Sequence, residues 1–353
     1  MDRCARFNER LKEAGLNLAL IYRPENIQYL TGYTGEGNAL IGEDKKVILT
    51  DFRYIEQAGR QAPDWQVVRV GGDVRLDEAL SMLIGKDQSV GIEEDYVTVA
   101  QRRMLEKALP GRTIGCITGM TEQLRRVKEP GEIEKLRRAC QISCQALENM
   151  LPRIHAGMTE KQVQVALDYE MLNLGADSVG FNTIAAAGVN GSLPHAIPSD
   201  KVLMEGELLT LDFGALYQGY HADMTRTLAI GEISSELSKM YEDVRVAQQM
   251  ALDAVRSGVP NKEVDAVARK FLDGIYPGAF GHGLGHSVGL LIHEAPNFNT
   301  RDLSVLEPGI VITVEPGVYL PGVGGVRIED TVAVTEDGYD NLVTFPKELI
   351  HVK

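Results

Sequence analysis

Cysteine is scarce in this sequence, and so is histidine. The four cysteines, Cys4, Cys116, Cys140 and Cys144, contain no CxxC pair, which excludes a cysteine-built zinc ribbon and a thioredoxin-like redox couple. Cys140 and Cys144 fall on the apolar stripe of an expected helix and read as core thiols. No apolar run is long enough to span a bilayer. The N-terminal stretch MDRCARFNERLKEAG lacks the apolar centre of a signal peptide, so the expected location is the cytoplasm. Positive charge is in deficit, with 36 Lys and Arg against 50 Asp and Glu and a net charge of −14, which argues against nucleic acid and membrane as partners. Low-complexity segments and solenoid-length repeats are also missing.

A length of 353 residues, with 44% apolar and 24% charged side chains, suits a globular protein of two domains. Over the first ~120 residues helix and strand patterns alternate. Residues 3–15, FRYIEQAGR, DEALSMLIG and VAQRRMLEKAL read as helices; LALIY, NALIG, KKVILT, WQVVRV, SVGIE and RTIGCI read as strands. This predicts a small α/β domain over residues 1–122 with a mostly buried sheet. A linker over about 121–130 leads to a second domain, 123–353, opened by Pro130 at a helix start. Ile133, Leu136, Cys140, Cys144, Leu147, Leu151 and Ile154 mark one face of that helix. Further helices are predicted over 158–175, capped by Thr159, and in YEDVRVAQQMALDAV and NKEVDAVARKFLDGI. Between and after them lie the strand-like runs ELLTLDFGAL, YHADMTRTLAI, IVITVEPGVYL and GVRIEDTVAV.

These four runs carry carboxylates where apolar residues belong. Asp212 and Asp223 sit on the first two, and a two-residue turn at Tyr217-Gln218 would set them directly opposite each other on one face. Glu315 and Glu329 sit on the second two, and their spacing fits an odd-length loop around Pro321–Gly325. Two carboxylates at ~4 Å repel by about 4 kcal/mol at an effective dielectric of ~20. Four in an apolar setting need cations or must protonate. Two divalent ions balance the charge, and a hard, oxygen-rich donor set with one imidazole favours Mn²⁺, Fe²⁺ or Co²⁺, with Zn²⁺ also able to bind.

Of the seven histidines, three crowd into GHGLGHSVGLLIHE, residues 281–294, among four glycines. A dinucleotide loop needs a different glycine spacing. A zinc-binding helix through His282 and His286 would lose ~4 kcal/mol to those glycines and has no glutamate between the two histidines. An extended or looped segment at a cleft wall remains, with glycine allowing close backbone approach.

The sequence resembles the metal-dependent proline peptidases of the pita-bread fold, prolidase and aminopeptidase P, relatives of creatinase and methionine aminopeptidase. The likeness runs nearly end to end: NIQYLTGYTG and LTDFRYIEQA, RRVKEPGEIEKLRRA, LPHAIPSDKVLMEGELLTLDFGALYQGYHADMTRT, GHGLGHSVGLLIHE, VITVEPGVYLPGVGGVRIEDTVAVTEDG and FPKEL follow in family order. It implies an α+β architecture: a creatinase-like N-terminal α/β domain, then a pita-bread catalytic domain with pseudo-twofold repeated strand pairs. It implies that Asp212, Asp223, His286, Glu315 and Glu329 hold two divalent ions, Mn²⁺ or Co²⁺ foremost and Zn²⁺ or Fe²⁺ otherwise, with Asp223 and Glu329 bridging. His293 and His195 would face the substrate carbonyl, and His282 would be a further cleft histidine. Arg327 would support a ligand carboxylate, Tyr319 would help position the intermediate, and Glu315 would shuttle a proton. His155, His221 and His351 are expected in ordinary surface or turn roles. The expected substrate is a proline-containing peptide, and the expected assembly a homodimer.

One departure bears on specificity. Where family dipeptidases carry an arginine just after the HE-x-P step, HEAPNFNTR has Asn297, and Arg301 lies four residues on. That shifts the expectation from a strict Xaa-Pro dipeptidase toward an aminopeptidase P-like enzyme. Three other readings follow from the same scaffold: a methionine aminopeptidase, against which the added N-terminal domain speaks, a metal-dependent lyase on a small substrate, and a non-catalytic binding protein.

Overall fold

The computed structural model describes residues 2–353, which form two compact units, one ending at Arg125 and one running from Arg126 to Lys353. In the first unit, strands β1 (Leu18–Ile21), β2 (Asn38–Gly42), β3 (Lys45–Thr50), β4 (Gln66–Arg69), β5 (Val90–Ile92) and β6 (Ile114–Cys116) form one sheet in the order β4-β3-β2-β1-β5-β6. Helices α1 (Arg3–Glu13), α2 (Pro24–Thr31), α3 (Ile55–Gln61), α4 (Leu76–Leu83), α5 (Val99–Ala108) and α6 (Met120–Arg125) accompany it. The apolar runs of β1 and β5 are buried along their whole length, as parallel neighbours covered on both faces require.

The second unit opens with α7 (Pro130–Met150). Pro130 takes the first helical position, where a missing N–H costs nothing, and the Glu132 side chain accepts from the Glu129 N–H. Cys140 and Cys144 are buried along it. The apolar stripe predicts helix to Ile154, but the α-helix stops at Met150 and a short 3₁₀ turn follows, because Pro152 cannot donate to the carbonyl behind it. Helix α8 (Glu160–Asn173) starts where predicted: Thr159 accepts from the Gln162 N–H, and Gln162 accepts from the Thr159 N–H. Then come β7 (Ser178–Val179), β8 (Ile184–Ala187), β9 (Leu208–Phe213), β10 (Ala215–Tyr217), β11 (Tyr220–His221) and β12 (Met224–Ile230). Helix α9 (Ser235–Ala254) begins earlier than its apolar run suggests, since Ser234 caps a polar first turn. Helix α10 (Asn261–Asp273), β13 (Gly285–Ser287), β14 (Glu294–Phe298), β15 (Val311–Val314), β16 (Gly317–Leu320), β17 (Gly324–Arg327), β18 (Asp330–Val334), β19 (Tyr339–Asn341) and β20 (His351–Val352) complete the unit.

Two sheets dominate it, β20-β12-β9-β8 and β14-β13-β15-β18-β19, with smaller pairings for β11-β10-β7 and β16-β17. Val244, Ala247 and Ala251 of α9 and Val264, Ala268 and Leu272 of α10 share one core with Ile312, Val314, Val332 and Val334. Among the described residues, no helix is long and apolar enough to cross a membrane.

The strand registers determine where the carboxylates meet. The turn between β10 and β11 is Gln218-Gly219, both with positive φ, rather than Tyr217-Gln218. The register therefore moves by two residues: Asp212 lies opposite Thr225, and Asp223 becomes its diagonal neighbour. A shift of two preserves the face, where a shift of one would have reversed it. In the second half, Gly317 pairs with Arg327 and Val314 with Asp330, which leaves Glu315 and Glu329 facing each other where the ladder is interrupted. Their N–H groups turn elsewhere, to Leu284 O and Thr225 O, and the Glu329 bond ties the two halves together.

Gly214 fixes the approach to Asp223: a Cβ there would lie 1.8 Å from the Ala222 carbonyl oxygen. Gly214→Ala is expected to cost about 1–3 kcal/mol of stability through overpacking against backbone, read from the urea midpoint. An unchanged midpoint would mean that this crossing has slack.

Candidate metal centre

One carboxylate oxygen from each of Asp212, Asp223 and Glu329 lies within 4.8 Å of the other two. His286, on β13, brings its Nε2 to 3.5 Å from Asp223 Oδ2 and to 3.5 Å from Glu315 Oε1. The five side chains thus converge from both strand pairs and from the glycine-rich segment. Gly285 lets β13 come this close: a Cβ would lie 2.2 Å from the Thr313 carbonyl oxygen.

The carboxylates are held from behind. The Arg327 guanidinium donates to Asp212 Oδ2 at 2.6 Å, to the Tyr319 hydroxyl at 2.8 Å, to Thr225 Oγ1 at 3.1 Å and to the Pro194 carbonyl at 3.3 Å. Thr225 in turn donates to Glu329 Oε2 at 2.6 Å. Thr313 donates to Glu315 Oε1 at 3.1 Å and accepts from the His286 N–H. These bonds leave Asp212 Oδ1 and Glu329 Oε1 buried with no hydrogen-bond partner. A native interior pairs such atoms, so an electropositive partner is called for. His286 Nδ1 lies 3.2 Å from Ser287 O, and a proton placed there leaves Nε2 a lone-pair donor toward the acids. Hard oxygens and one neutral imidazole fit a divalent cation.

Electrostatics lead to the same conclusion. Burial, and then the charges of Glu329, Asp212 and Glu315, push the Asp223 carboxyl well above its usual range. Glu329 is raised in the same way, by burial and then by Glu315 and Asp212. Glu315 is pushed up to about 8 by burial, with Arg327 opposing. Burial lowers His286 to about 4. Without cations Asp223, Glu315 and Glu329 are held toward protonation, while the imidazole stays neutral and free to coordinate.

The cluster forms the floor of a cavity of about 490 Å³. His195, His282, His293 and Asn297 line its walls, together with the apolar side chains of Phe181, Ile184, Ile292 and Phe298. His195 and His293 are exposed to it, and the His293 ring lies 4.3 Å from that of His286. His282 is set deeper, its Nε2 2.8 Å from the Tyr319 hydroxyl, and burial lowers its pKa to about 4. Tyr319 lies behind Arg327 rather than on the cavity wall, its hydroxyl held between Arg327 and His282. Arg301 is exposed and outside the cavity lining. His155 and His351 are exposed and His221 is half-buried on β11; none of the three lines the cavity.

Sequence reasoning passed over several contributors. Thr225 and Thr313 lie two residues from Asp223 and Glu315, the spacing that puts strand side chains on one face, so alternation alone could have flagged them. Lys128 gave no such signal. Its buried ammonium donates to Ser287 Oγ at 2.8 Å and pairs with Glu294 at 3.2 Å, bracing the neighbours of His286 and His293 across more than 150 residues of sequence.

Comparison with known proteins agrees with this geometry. The profile of metallopeptidase family M24 matches residues 134–336, and that of the creatinase/prolidase N-terminal domain matches residues 3–127. The chain belongs to metallopeptidase family M24. A solved Xaa-Pro dipeptidase from Bacillus anthracis superposes with a TM-score of 0.95 at 38% identity, covering 100% of this chain and 99% of that one. A solved X-Pro aminopeptidase from Thermotoga maritima gives 0.91, also at 38% identity, over 97% and 100%. Among curated relatives, the Xaa-Pro dipeptidase of Pyrococcus furiosus is 33% identical over 99% of both chains. The fold is that of the pita-bread prolidases behind a creatinase-type N-terminal domain.

The shifted groups set a pH test. A carboxyl whose folded pKa is raised makes the folded state bind the extra proton, so stability falls as pH rises through its folded value. For Glu315 that window runs from about 4.5 to about 8. His282 and His286, lowered from 6.5 to about 4, work in the opposite sense below pH 6.5. Metal-stripped protein is therefore expected to melt lower at pH 8 than at pH 6.5, and saturating Mn²⁺ should remove the difference. A rising melting temperature over that interval in the stripped protein would contradict the assignment.

Proposed function

We propose that this chain is a dinuclear metal-dependent exopeptidase that hydrolyses the bond between an N-terminal residue and proline. The observation that carries the reading is the convergence of Asp212, Asp223, His286, Glu315 and Glu329 on the floor of a cavity walled by His195 and His293. These five residues would hold two divalent ions, with Mn²⁺ or Co²⁺ favoured by the donor set. Bound there, the ions would supply Lewis acidity, lowering the pKa of a water from ~15.7 toward ~7 and polarising a carbonyl.

The protein's own groups do the rest. His293 and His195 each offer a ring N–H toward the charge that develops on the scissile oxygen. A prolyl amide nitrogen carries no hydrogen and must gain one to leave. Glu315 faces the cavity and shuttles to the nitrogen, as the C–N bond breaks, the proton given up by the water that adds to the carbonyl carbon. Phe181, Ile292 and Phe298 give the prolyl ring an apolar wall. Arg327 and Thr225 keep the acids from rotating away, so little reorganisation remains at the moment of reaction. Asp223→Ala is expected to abolish metal loading and turnover together, with metal analysis falling from about two ions per chain. Full turnover without bound metal would end this reading, and a metal-free native protein would favour a binding role instead.

For specificity we propose preference for peptides longer than two residues. Among the described residues, Arg327 is the one lysine or arginine lining the cavity, and its guanidinium is committed to Asp212, Tyr319 and Thr225. Asn297 offers no charge for a dipeptide carboxylate. The dipeptidase reading is favoured by the names of the Bacillus anthracis and Pyrococcus furiosus relatives. Xaa-Pro-Xaa is expected to be turned over faster than Xaa-Pro, and Asn297→Arg to lower KM for the dipeptide. A strong dipeptide preference in the parent enzyme would reverse the assignment. The resemblance further supports a homodimer acting in the cytoplasm.

A further inference from the structure

Glu160, the first residue of α8, is fully buried and has no ion-pair partner among the described residues. Its carboxylate is satisfied by neutral donors instead. Oε1 accepts from the Ala187 N–H at 2.8 Å and Asn190 Nδ2 at 3.1 Å; Oε2 accepts from Asn190 Nδ2 at 3.2 Å, the Ser199 N–H at 3.1 Å and Ser199 Oγ at 2.7 Å. The first turn of the helix adds backbone bonds to the same strip of chain, Glu160 N–H to Lys201 O and Lys161 N–H to Ser199 O, both at 3.0 Å.

That strip is the far end of the segment bearing His195. Its near end is held by Arg327, which donates to Pro194 O at 3.3 Å. Its middle is held by Ala196, packed against Ile184 and Ala186 of β8. Pro194 and Pro198 bracket His195 with fixed φ angles, so the segment is stiff and a displacement at Ser199 carries to the imidazole. The His195 ring makes no hydrogen bond of its own among the described residues, and its place over the cavity is set through the backbone.

We propose that Glu160 is a positioning residue for His195: a buried carboxylate on an outer helix that fixes where that imidazole stands relative to the cluster. The proposal rests on the substrate-side role proposed for His195. The negative charge suits both its neutral donors and the helix N-terminus it occupies. An isosteric amide would turn an N–H against one set of those donors and release either the Ser199 end or the Ala187 end.

The test uses the full-length, metal-loaded enzyme and a Xaa-Pro-Xaa substrate. Glu160→Gln is expected to lower kcat by about tenfold to a hundredfold, the scale of loss from a misplacement of up to ~1 Å, with the bound metal count unchanged. The double variant Glu160→Gln/His195→Ala should be no slower than His195→Ala alone. In spectra of ¹³C-histidine-labelled protein loaded with diamagnetic Zn²⁺, the His195 signal, assigned by its loss in His195→Ala, should move or broaden in Glu160→Gln while the His293 signal stays. Should Glu160→Gln fail to fold, Ser199→Ala removes the Oγ bond to Glu160, and the Lys201 N–H bond to that oxygen, while the backbone bonds stay; it should give the same pattern at smaller size. If the losses from Glu160→Gln and His195→Ala multiply and the His195 signal is unmoved, the proposal is overturned and the reading of His195 survives. If His195→Ala retains the wild-type rate, the role of His195 is lost, and the proposal with it.

Discussion

Mutual repulsion among buried carboxylates is the constraint to which the second unit of this protein is built. Brought to ~4 Å, a single pair costs about 4 kcal/mol at an effective dielectric of ~20, and here Asp212, Asp223, Glu315 and Glu329 share one floor. The backbone holds them there by register, and Arg327, Thr225 and Thr313 hold one oxygen each of Asp212, Glu329 and Glu315 by hydrogen bonds. The remaining oxygens point at one another and at His286 Nε2. Binding of cations relieves a stress the fold has already imposed, so the free energy of metal binding carries part of the stability of the loaded state.

A second theme is the use of interior charges to hold the segments that carry imidazoles. Arg269, paired with Asp265 on α10, donates to the carbonyls of Phe280 and His282, and Asp265 accepts from the Leu284 N–H. Lys128 braces Ser287 and Glu294, beside His286 and His293, and Glu160 grips the strip beyond His195. The two halves are also linked by guanidinium groups that cross between them: Arg327 reaches from β17 to Asp212 on β9, and Arg226 reaches from β12 to Asp330 on β18. Loops rich in glycine and proline would otherwise drift, and bonds to charged groups are about twice as strong as neutral ones.

How much of this could be read in advance depended on distance along the chain. Most strands and helices followed from apolar periodicity, and the cap at Thr159 from local chemistry, but α2 was passed over and α6 falls where a linker is expected from the sequence. The anomalous acids were visible singly because a carboxylate inside an apolar run breaks the pattern. Their pairing was legible for Glu315 and Glu329, where loop parity decides the face. It was misjudged by two residues for Asp212 and Asp223, because Gln218 adopts a positive φ that its residue type does not advertise. Lys128 with Glu294, and Glu160 with Ser199, were invisible, since such pairs are brought together by tertiary packing alone. Tyr319 was legible as a polar group near the site, but not its place behind Arg327, which depends on the depth of the β16-β17 ribbon.

The interruption of the ladder at Glu315 and Glu329 has a consequence for how the protein comes into being. The Glu329 amide bonds to Thr225, and the residues of the cluster are spread over about a third of the sequence, from Asp212 to Glu329. No hairpin holds a complete set. A chain emerging from the ribosome therefore cannot sequester ions until both halves have closed on each other around their shared core, which makes ion capture a late checkpoint on correct assembly.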